Sequence, residues 1–432
     1  MGKNDLIFLI LLSILIIDSW SYLFSYKVYL IISILSVLFG FFYIYNESKD
    51  SSESNIFYFN RPFFKYLIIS IFILFILIRL FILINYQGSY IDEYNHIFSG
   101  IELFDKGHFA EIYDGDYYSR GSYVSLTTGL FLALFGHNLI FIKAIPIILG
   151  IINFFLLYSV SKKFLRDNIC ISFLMLIYTI SPWIIFNHIF IRMYIFYEFF
   201  LLITLFLMIN ISESKNFNKR KFLINLSILI ILDIILFYFS NDIGVYPILL
   251  ISGIFLIWTY FNIPEDQPFI TWLKSNPKNR DKLFLKIFTI VIIFIALYFL
   301  LNLDTQISLL RSGELSYTSD EDLKYDYFFF DLNAIFTILF ILSLLSLFFI
   351  KNSKINLFIL LTSMILFILH LSSSKDLQIT RGIIYFLPLF YMVSINTIKL
   401  FRKSNYIVLF LMIFVILVII HNYPDRFVEG PY

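Results

Sequence analysis

Apolar runs separated by short polar breaks recur along the whole chain. Most runs are about 17 to 22 residues long, which is what an α-helix needs to cross a hydrocarbon core of roughly 30 Å. The pattern therefore predicts an all-α polytopic membrane protein with about thirteen transmembrane helices. They are predicted near residues 5–21, 28–45, 66–86, 139–160, 169–187, 194–211, 222–239, 246–262, 284–302, 332–350, 356–371, 383–398 and 406–421.

Segment 121–135 is apolar but only about 15 residues long, so we predict that it lies at the outer surface as a juxtamembrane helix. With this segment outside, the basic clusters between the predicted spans all fall on one side, which the positive-inside rule assigns to the cytoplasm. They are Lys49, Arg61 and Lys65; Lys162, Lys163 and Arg166; Lys215, Lys219, Arg220 and Lys221; 274–286; Lys351 and Lys354; and Lys399, Arg402 and Lys403. We predict a multi-pass protein of the cell membrane with a cytoplasmic amino terminus and an outside carboxy terminus.

The same pattern divides the chain into three parts. Residues 1–63 are predicted to form a transmembrane hairpin and a cytoplasmic linker. Residues 64–262 form the middle module, which carries the first outer loop at 87–138. The carboxy-terminal helices fill 263–432 and include an acidic outer loop at 303–331.

Composition narrows the classes of partner. Hydrophobic residues make up 60% of the chain and charged residues 14%, which suits a bilayer and makes membrane lipids partners. A net charge of +2 with short, scattered basic clusters indicates no nucleic-acid partner. The longest segment outside the predicted spans, about 50 residues, is short for a nucleotide-binding α/β domain. An activated substrate must therefore come from within or beside the membrane.

An adjacent acidic pair, Asp92 and Glu93, follows the third predicted span. Acids directly outside a span are often only a solvated helix end. The alternative is a general base in a partly desolvated cleft, where its pKa can be tuned. Asp92 and Glu93 are the catalytic candidates, with Asp92 as the base and Glu93 as its orienting or acceptor-binding neighbour.

Basic and aromatic side chains at the predicted outer ends of the spans form a second set of candidates. Such cations can be snorkelling membrane anchors, or they can bind a lipid phosphate through charge-assisted hydrogen bonds. The candidates for binding a lipid phosphate are Arg120, Lys143, Arg192, Tyr194 and Arg381. Glu198, shortly after Arg192, is a candidate partner for that guanidinium.

Metal ligation has weak support in the sequence. Asp114-Gly115-Asp116 has the form of an Asp-x-Asp motif, but glycine between acids is ordinary turn chemistry. The six histidines have no metal-ligand spacing, although His96, His108 and His188 are predicted to share a face and could contribute one ligand each. We predict no metal site and no definite cofactor, and a divalent cation stays open as an alternative.

The order of these motifs resembles the GT-C superfamily, in particular its dolichyl-phosphate-mannose mannosyltransferase and aminoarabinose-transferase-like branch. The resemblance covers about residues 64–210. It rests on Asp92-Glu93, Gly107, Tyr118-Ser119-Arg120-Gly121, Phe135-Gly136, Lys143, Ser181-Pro182 and Arg192-Met193-Tyr194, with Arg381 and Pro388 later in the chain.

The resemblance implies that residues 64–262 are a GT-C-like catalytic module and that the protein is an inverting glycosyltransferase. The implied donor is a sugar on a polyprenyl phosphate, and the implied acceptor is a glycan, lipid or protein on the outer face. Asp92 would be the general base, and Arg120, Lys143, Arg192 and Arg381 would contact the phosphate.

Two other classes compete with this interpretation. An O-antigen-type polymerase or ligase also uses lipid-linked sugar, but its large outer loop is expected late in the chain. A polytopic lipid-glycan transporter or flippase is expected to have interrupted helices and polar residues at mid-membrane.

Overall fold

The structure is a computed structural model in which almost all of the described residues are α-helical. It describes residues 7–15, 31–41, 61–85, 91–108, 111–113, 116–117, 122–136, 139–214, 219–239, 246–260, 334–346, 354–372, 386–401 and 405–421, with isolated positions between 274 and 286. Predicted helix 284–302, apart from one of those positions, and loop 303–331 lie outside this part of the chain.

The described helices are labelled in chain order. The first group is α1 (7–15), α2 (Ile31–Phe41), α3 (Arg61–Asn85), α4 (Ile91–Lys106), α5 (Ser122–Phe135), α6 (Leu139–Phe164), α7 (Asn168–Ile180) and α8 (Pro182–Asn187). The second group is α9 (Met193–Ser214), α10 (Lys219–Phe239), α11 (Tyr246–Tyr260), α12 (Ala334–Ser346), α13 (Lys354–Ser372), α14 (Leu387–Leu400) and α15 (Asn405–His421). A small antiparallel ladder of β1 (Glu111–Tyr113) and β2 (Asp116–Tyr117) lies between α4 and α5.

Three helices in the described part of the chain are long and apolar enough to cross a membrane. They are Pro62–Ile84 in α3, Phe141–Phe164 in α6 and Met193–Glu213 in α9, and several other apolar helices are shorter. Large apolar side chains such as Leu77, Phe81 and Ile231 lie exposed on α3 and α10. Such a surface is suited to lipid, and the chain has the character of a membrane protein. The count of thirteen spans and the GT-C core stay predictions.

Helices α7 and α9 lie at the centre of the described fold. Helix α7 packs against α3, α6 and α14, while α9 packs against α6, α10 and α11. Both central helices are almost entirely buried, including their polar residues Ser172, Thr179 and Thr204. A helix that is apolar on all sides belongs in such a position.

The predicted helix at 169–187 is interrupted. Helix α7 ends at Ile180, Ser181 adopts an extended backbone, and α8 restarts with Pro182 as its first residue. Proline has no backbone N–H, so the α7 ladder cannot continue through it. The hydroxyl of Ser181 lies 3.0 Å from that of Tyr391, which ties the interruption to α14.

Helix α4 forms inside the predicted outer loop 87–138 and packs closely on α5. Its buried face includes the polar or small residues Glu93, His96, Ser99 and Gly100, together with Ile97. A Cβ atom added at Gly100 would lie 2.7 Å from the carbonyl oxygen of Ser125 and 2.9 Å from the backbone nitrogen of Gly129. Glycine therefore sets the closest approach of the two helices.

Gly100→Ala is expected to destabilise this pair by about 1–3 kcal/mol, because the atoms that the new methyl meets belong to the backbone and cannot rotate away. The measurement is the thermal unfolding midpoint of the detergent-purified protein. Leu126→Ala, on the exposed side of α5, is the control and should have a smaller effect. Equal midpoints for Gly100→Ala and the unmodified protein would contradict the close approach.

Hydrogen bonds between side chains and backbone join α12 to α14. Ser394 donates to the carbonyl of Phe336 at 3.0 Å, Thr397 donates to that of Leu339, and Asn396 donates to the Ser343 hydroxyl at 2.9 Å. Polar contacts of this kind hold helices together where the surroundings are apolar. The carboxy-terminal helices thus form a fixed support for α7.

Candidate functional site at the 187–193 turn

The segment 187–193 between α8 and α9, called here the 187–193 turn, is buried throughout. Its backbone is tightly folded. The N–H of Ile189 donates to the carbonyl oxygen of Phe186 at 3.2 Å, and the N–H of Arg192 donates to the carbonyl oxygen of Phe190 at 3.0 Å. We predict from the sequence a short outer-face turn here. The structure places this turn among packed helices, where its polar groups must find partners within the protein. Its position on the outer face stays a prediction.

Glu93 connects the predicted acidic pair to this turn. One carboxylate oxygen, Oε1, accepts a hydrogen bond from the backbone N–H of Ile191 at 3.2 Å, and the side chain is fully buried. Asp92 lies one residue earlier, in the first turn of α4. The amino-terminal end of α4 is therefore docked against the residue that precedes Arg192.

Arg192 and Lys143 are both buried cations. Arg192 is 7% exposed, and its guanidinium carbon lies 5.9 Å from the centre of the Tyr194 ring. Lys143 is 5% exposed and lies in the first turns of α6. Neither side chain is held out in solvent as a simple surface anchor would be. Arg120 and Arg381 lie outside the described residues.

A second group of polar side chains, absent from the predicted site apart from Glu198, lies directly behind the turn. We call Arg79, Tyr178, Asn187, His188 and Glu198 the Arg79 cluster; all five are buried. Arg79 comes from α3, Tyr178 from α7 and Glu198 from α9. The cluster therefore joins helices that are far apart in sequence.

The bonds around Glu198 fix its place in the cluster. Its Oε1 accepts from the Tyr178 hydroxyl at 2.5 Å, and its Oε2 accepts from the Asn187 amide at 2.8 Å. His188 Nε2 lies 3.5 Å from Oε1. Glu198, predicted as a partner of Arg192, thus holds both α7 and the beginning of the turn.

The state of His188 follows from its neighbours. Arg79 Nε donates to Nδ1 of His188 at 3.4 Å, and arginine is a donor only, so Nδ1 carries no proton. The proton is then on Nε2, which lies 3.2 Å from the Tyr178 hydroxyl oxygen and can donate to it. Burial, together with the Arg79 charge, lowers the pKa of His188 against the opposing effect of Glu198. A neutral imidazole therefore bridges a cation and an anion.

Arg79 also satisfies the interrupted end of α7. Its guanidinium donates to the carbonyl of Thr179 at 2.6 Å and to that of Tyr178 at 3.3 Å. The carbonyl of Tyr178 would normally accept from residue 182, but that residue is proline and has no N–H. A cation at a helix carboxyl end is also favoured by the helix dipole. The α7 interruption and Arg79 therefore complement each other.

Glu93→Ala is expected to lower stability by about 1–3 kcal/mol, because the buried Ile191 N–H loses this acceptor. Glu93→Gln keeps a side-chain oxygen and should cost clearly less. Both effects are measured as thermal unfolding midpoints.

The control for this pair is Glu102→Ala on the same helix. Glu102 makes an ion pair with the exposed Lys106 at 2.7 Å, and such pairs contribute about 0–1 kcal/mol. A loss for Glu93→Ala no larger than that for Glu102→Ala would refute the docking of α4 on the turn.

No protein-family model matches the chain, and no curated protein or solved structure is significantly similar to it. Within the described residues, no group of three or more His, Cys, Asp or Glu side chains could hold a metal ion. Asp116 lies in strand β2, whereas Asp114 and Gly115 lie outside the described part.

Proposed function

We propose that the protein is a membrane glycosyltransferase that moves a sugar from a polyprenyl-phosphate carrier to an acceptor on the outer face of the membrane. The observation that carries this proposal is the bond between Glu93 and Ile191. It brings the acidic pair of α4 next to the segment that holds Arg192 and Tyr194. An acid and a buried cation beside one another are what transfer from a phosphate carrier requires.

The chemistry needs few groups. A base takes the proton from the acceptor hydroxyl, and the oxygen attacks the anomeric carbon of the donor sugar. The bond from that carbon to the phosphate oxygen breaks, and polyprenyl phosphate leaves with the electron pair. Phosphate is a weakly basic leaving group, so no acid has to protonate it, unlike the leaving group in glycoside hydrolysis.

Each candidate has a role in this scheme. Asp92 is the base, and Glu93 positions α4 on the turn. Arg192 and Lys143 stabilise charge on the departing phosphate, and Tyr194 packs beside Arg192. Arg120 and Arg381 are proposed as further phosphate contacts on motif grounds alone. The orientation, with an inside amino terminus and an outside carboxy terminus, is part of the same proposal.

The test is a transfer assay with the full chain in lipid nanodiscs. Labelled polyprenyl-phosphate hexoses and pentoses are offered singly with extracted envelope glycans, lipids and proteins as acceptors. We expect one donor to release polyprenyl phosphate only when an acceptor is present. If the protein stays folded and none of the donors in the panel releases polyprenyl phosphate, the result would argue against the proposal.

A transporter of lipid-linked glycans is the second candidate, and the interrupted α7–α8 helix with buried charges behind it favours that class. The same lipids labelled with a fluorophore and placed in proteoliposomes distinguish the two. Movement between leaflets with no cleavage of the sugar–phosphate bond would support transport, and cleavage without movement would support transfer.

A further inference from the structure

We infer that Arg79 is a positioning residue that fixes the 187–193 turn and, through it, both Arg192 and the docking place of Glu93. This inference deepens the proposed function and rests on it for its effect on the donor. The arginine contacts neither donor nor acceptor in this scheme. Its effect is transmitted through the backbone of the turn.

The guanidinium links two structures that would otherwise move separately. One edge binds the carbonyls of Tyr178 and Thr179 at the end of α7. Nε and Nη2 lie 3.4 Å and 3.3 Å from Nδ1 of His188, the second residue of the turn. The plane of the group stacks on Phe75, with its carbon 3.7 Å from the ring centre. A planar guanidinium presents its five N–H donors in fixed directions over a wide fork, whereas an ammonium has three rotatable donors at a single point.

The turn is held on its other sides as well. Asn187 is bound to Glu198 of α9, and Ile191 to Glu93 of α4. On α6, a Cβ added to Gly150 would lie 3.0 Å from the His188 ring, so the helix packs directly on the imidazole. With His188 anchored to α3 and Ile191 to α4, the backbone immediately before Arg192 has little freedom.

Stability alone is a poor reason for such a cluster. Burying an arginine and a glutamate carries a large desolvation cost, and well-packed apolar residues often stabilise as much or more. Hydrogen bonds have fixed directions, so they define the positions of the groups that they join. Apolar packing does not do this. A phosphate site needs its guanidinium within a few tenths of an ångström, because a small displacement loses much of the binding.

The first measurement follows the turn itself and needs no activity. A full-length protein with Trp20, Trp258 and Trp272 changed to Phe retains only Trp183, a buried residue of α8 that is 5% exposed. Arg79→Gln in this protein should red-shift the Trp183 emission and increase its quenching by acrylamide. Ile71→Ala, a buried α3 position about two turns away, controls for general loosening and should leave the Trp183 signal unchanged.

The second measurement uses the polyprenyl-phosphate sugar that the wild-type protein consumes. Arg79→Gln should lower kcat about tenfold, which corresponds to about 1.4 kcal/mol, and raise the KM for that donor by a smaller factor, because a displaced Arg192 loses its contact with the departing phosphate. In Ile71→Ala, KM and kcat should both equal those of the unmodified protein once kcat is corrected for the fraction of protein that is folded. Tyr178→Phe removes one hydroxyl and keeps the ring that stacks on Phe75. It should act in the same direction as Arg79→Gln, and it serves if Arg79→Gln does not fold.

The outcomes separate the two proposals. A Trp183 signal in Arg79→Gln and Tyr178→Phe equal to that of Ile71→Ala overturns the positioning role. The positioning role is also overturned if Arg79→Gln and Tyr178→Phe change KM and kcat no more than Ile71→Ala does. A wild-type protein that consumes no donor overturns the proposed function, while the Trp183 measurement still decides whether Arg79 fixes the turn.

Discussion

Asp92→Asn should lower the turnover of the transfer reaction by about two to four orders of magnitude, because asparagine keeps the size of the side chain but cannot accept the acceptor's proton. Binding of the donor should persist, since Arg192 and Lys143 are unchanged. The measurement is a single-turnover assay with the labelled polyprenyl-phosphate sugar, which isolates the chemical step from product release.

The matched control for this experiment is Asp105→Asn. Asp105 is an exposed acid on the same helix, and the substitution removes the same charge about three and a half turns away. Its turnover should equal that of the unmodified protein. Near-normal turnover in Asp92→Asn would remove Asp92 from the mechanism.

Arg192→Ala should lower kcat/KM by about a hundredfold or more, which is the scale observed when one preorganised donor to a developing negative charge is removed. Most of the loss should be in the transition state if the guanidinium binds the departing phosphate. Arg192→Lys should recover part of the rate, because an ammonium retains the charge but not the paired geometry.

Arg220→Ala provides the comparison for Arg192→Ala. Arg220 is an exposed cation at the start of α10. Its substitution tests whether removing any arginine from the protein lowers the rate. The affinity of each variant for the donor's phosphate is measured by competition with unlabelled polyprenyl phosphate. If Arg192→Ala binds the competitor as well as Arg220→Ala and turns over at the same rate, Arg192 is a membrane anchor and no more.

The long apolar helices were predictable because their signal is local. The runs that give α3, α6 and α9 are continuous over a full span, and the bounds differ from the predicted ones by about five residues or fewer. Helix α4 escaped the same pattern since most of the residues that it buries, among them Glu93, His96 and Gly100, are polar or small. A hydropathy window sees such a helix as a loop.

Of the candidate site, only the charged residues in loops and at helix ends can be recognised in the sequence, and their roles stay predictions. Asp92, Glu93, Lys143 and Arg192 were selected because they are unusual beside apolar runs. Arg79 was hidden inside one such run, although a lone arginine in a predicted span is itself a reason to suspect function. Its partners Tyr178 and His188 lie 99 and 109 residues later in the chain. No local pattern can indicate that pairing.

That separation has a consequence for how the protein is made. The α3 helix leaves the ribosome before the residues that satisfy its arginine, because the Thr179 carbonyl is 100 residues further on. At about 5–20 residues per second, the interval is on the order of 5 to 20 seconds. During it, Arg79 must reach toward the interface or remain beside the insertion machinery, since a charge deep in lipid costs about 2.5–3.5 kcal/mol. The arrival of α7 and α8 then supplies the carbonyls and the imidazole that bind Arg79 and fix α3 against them.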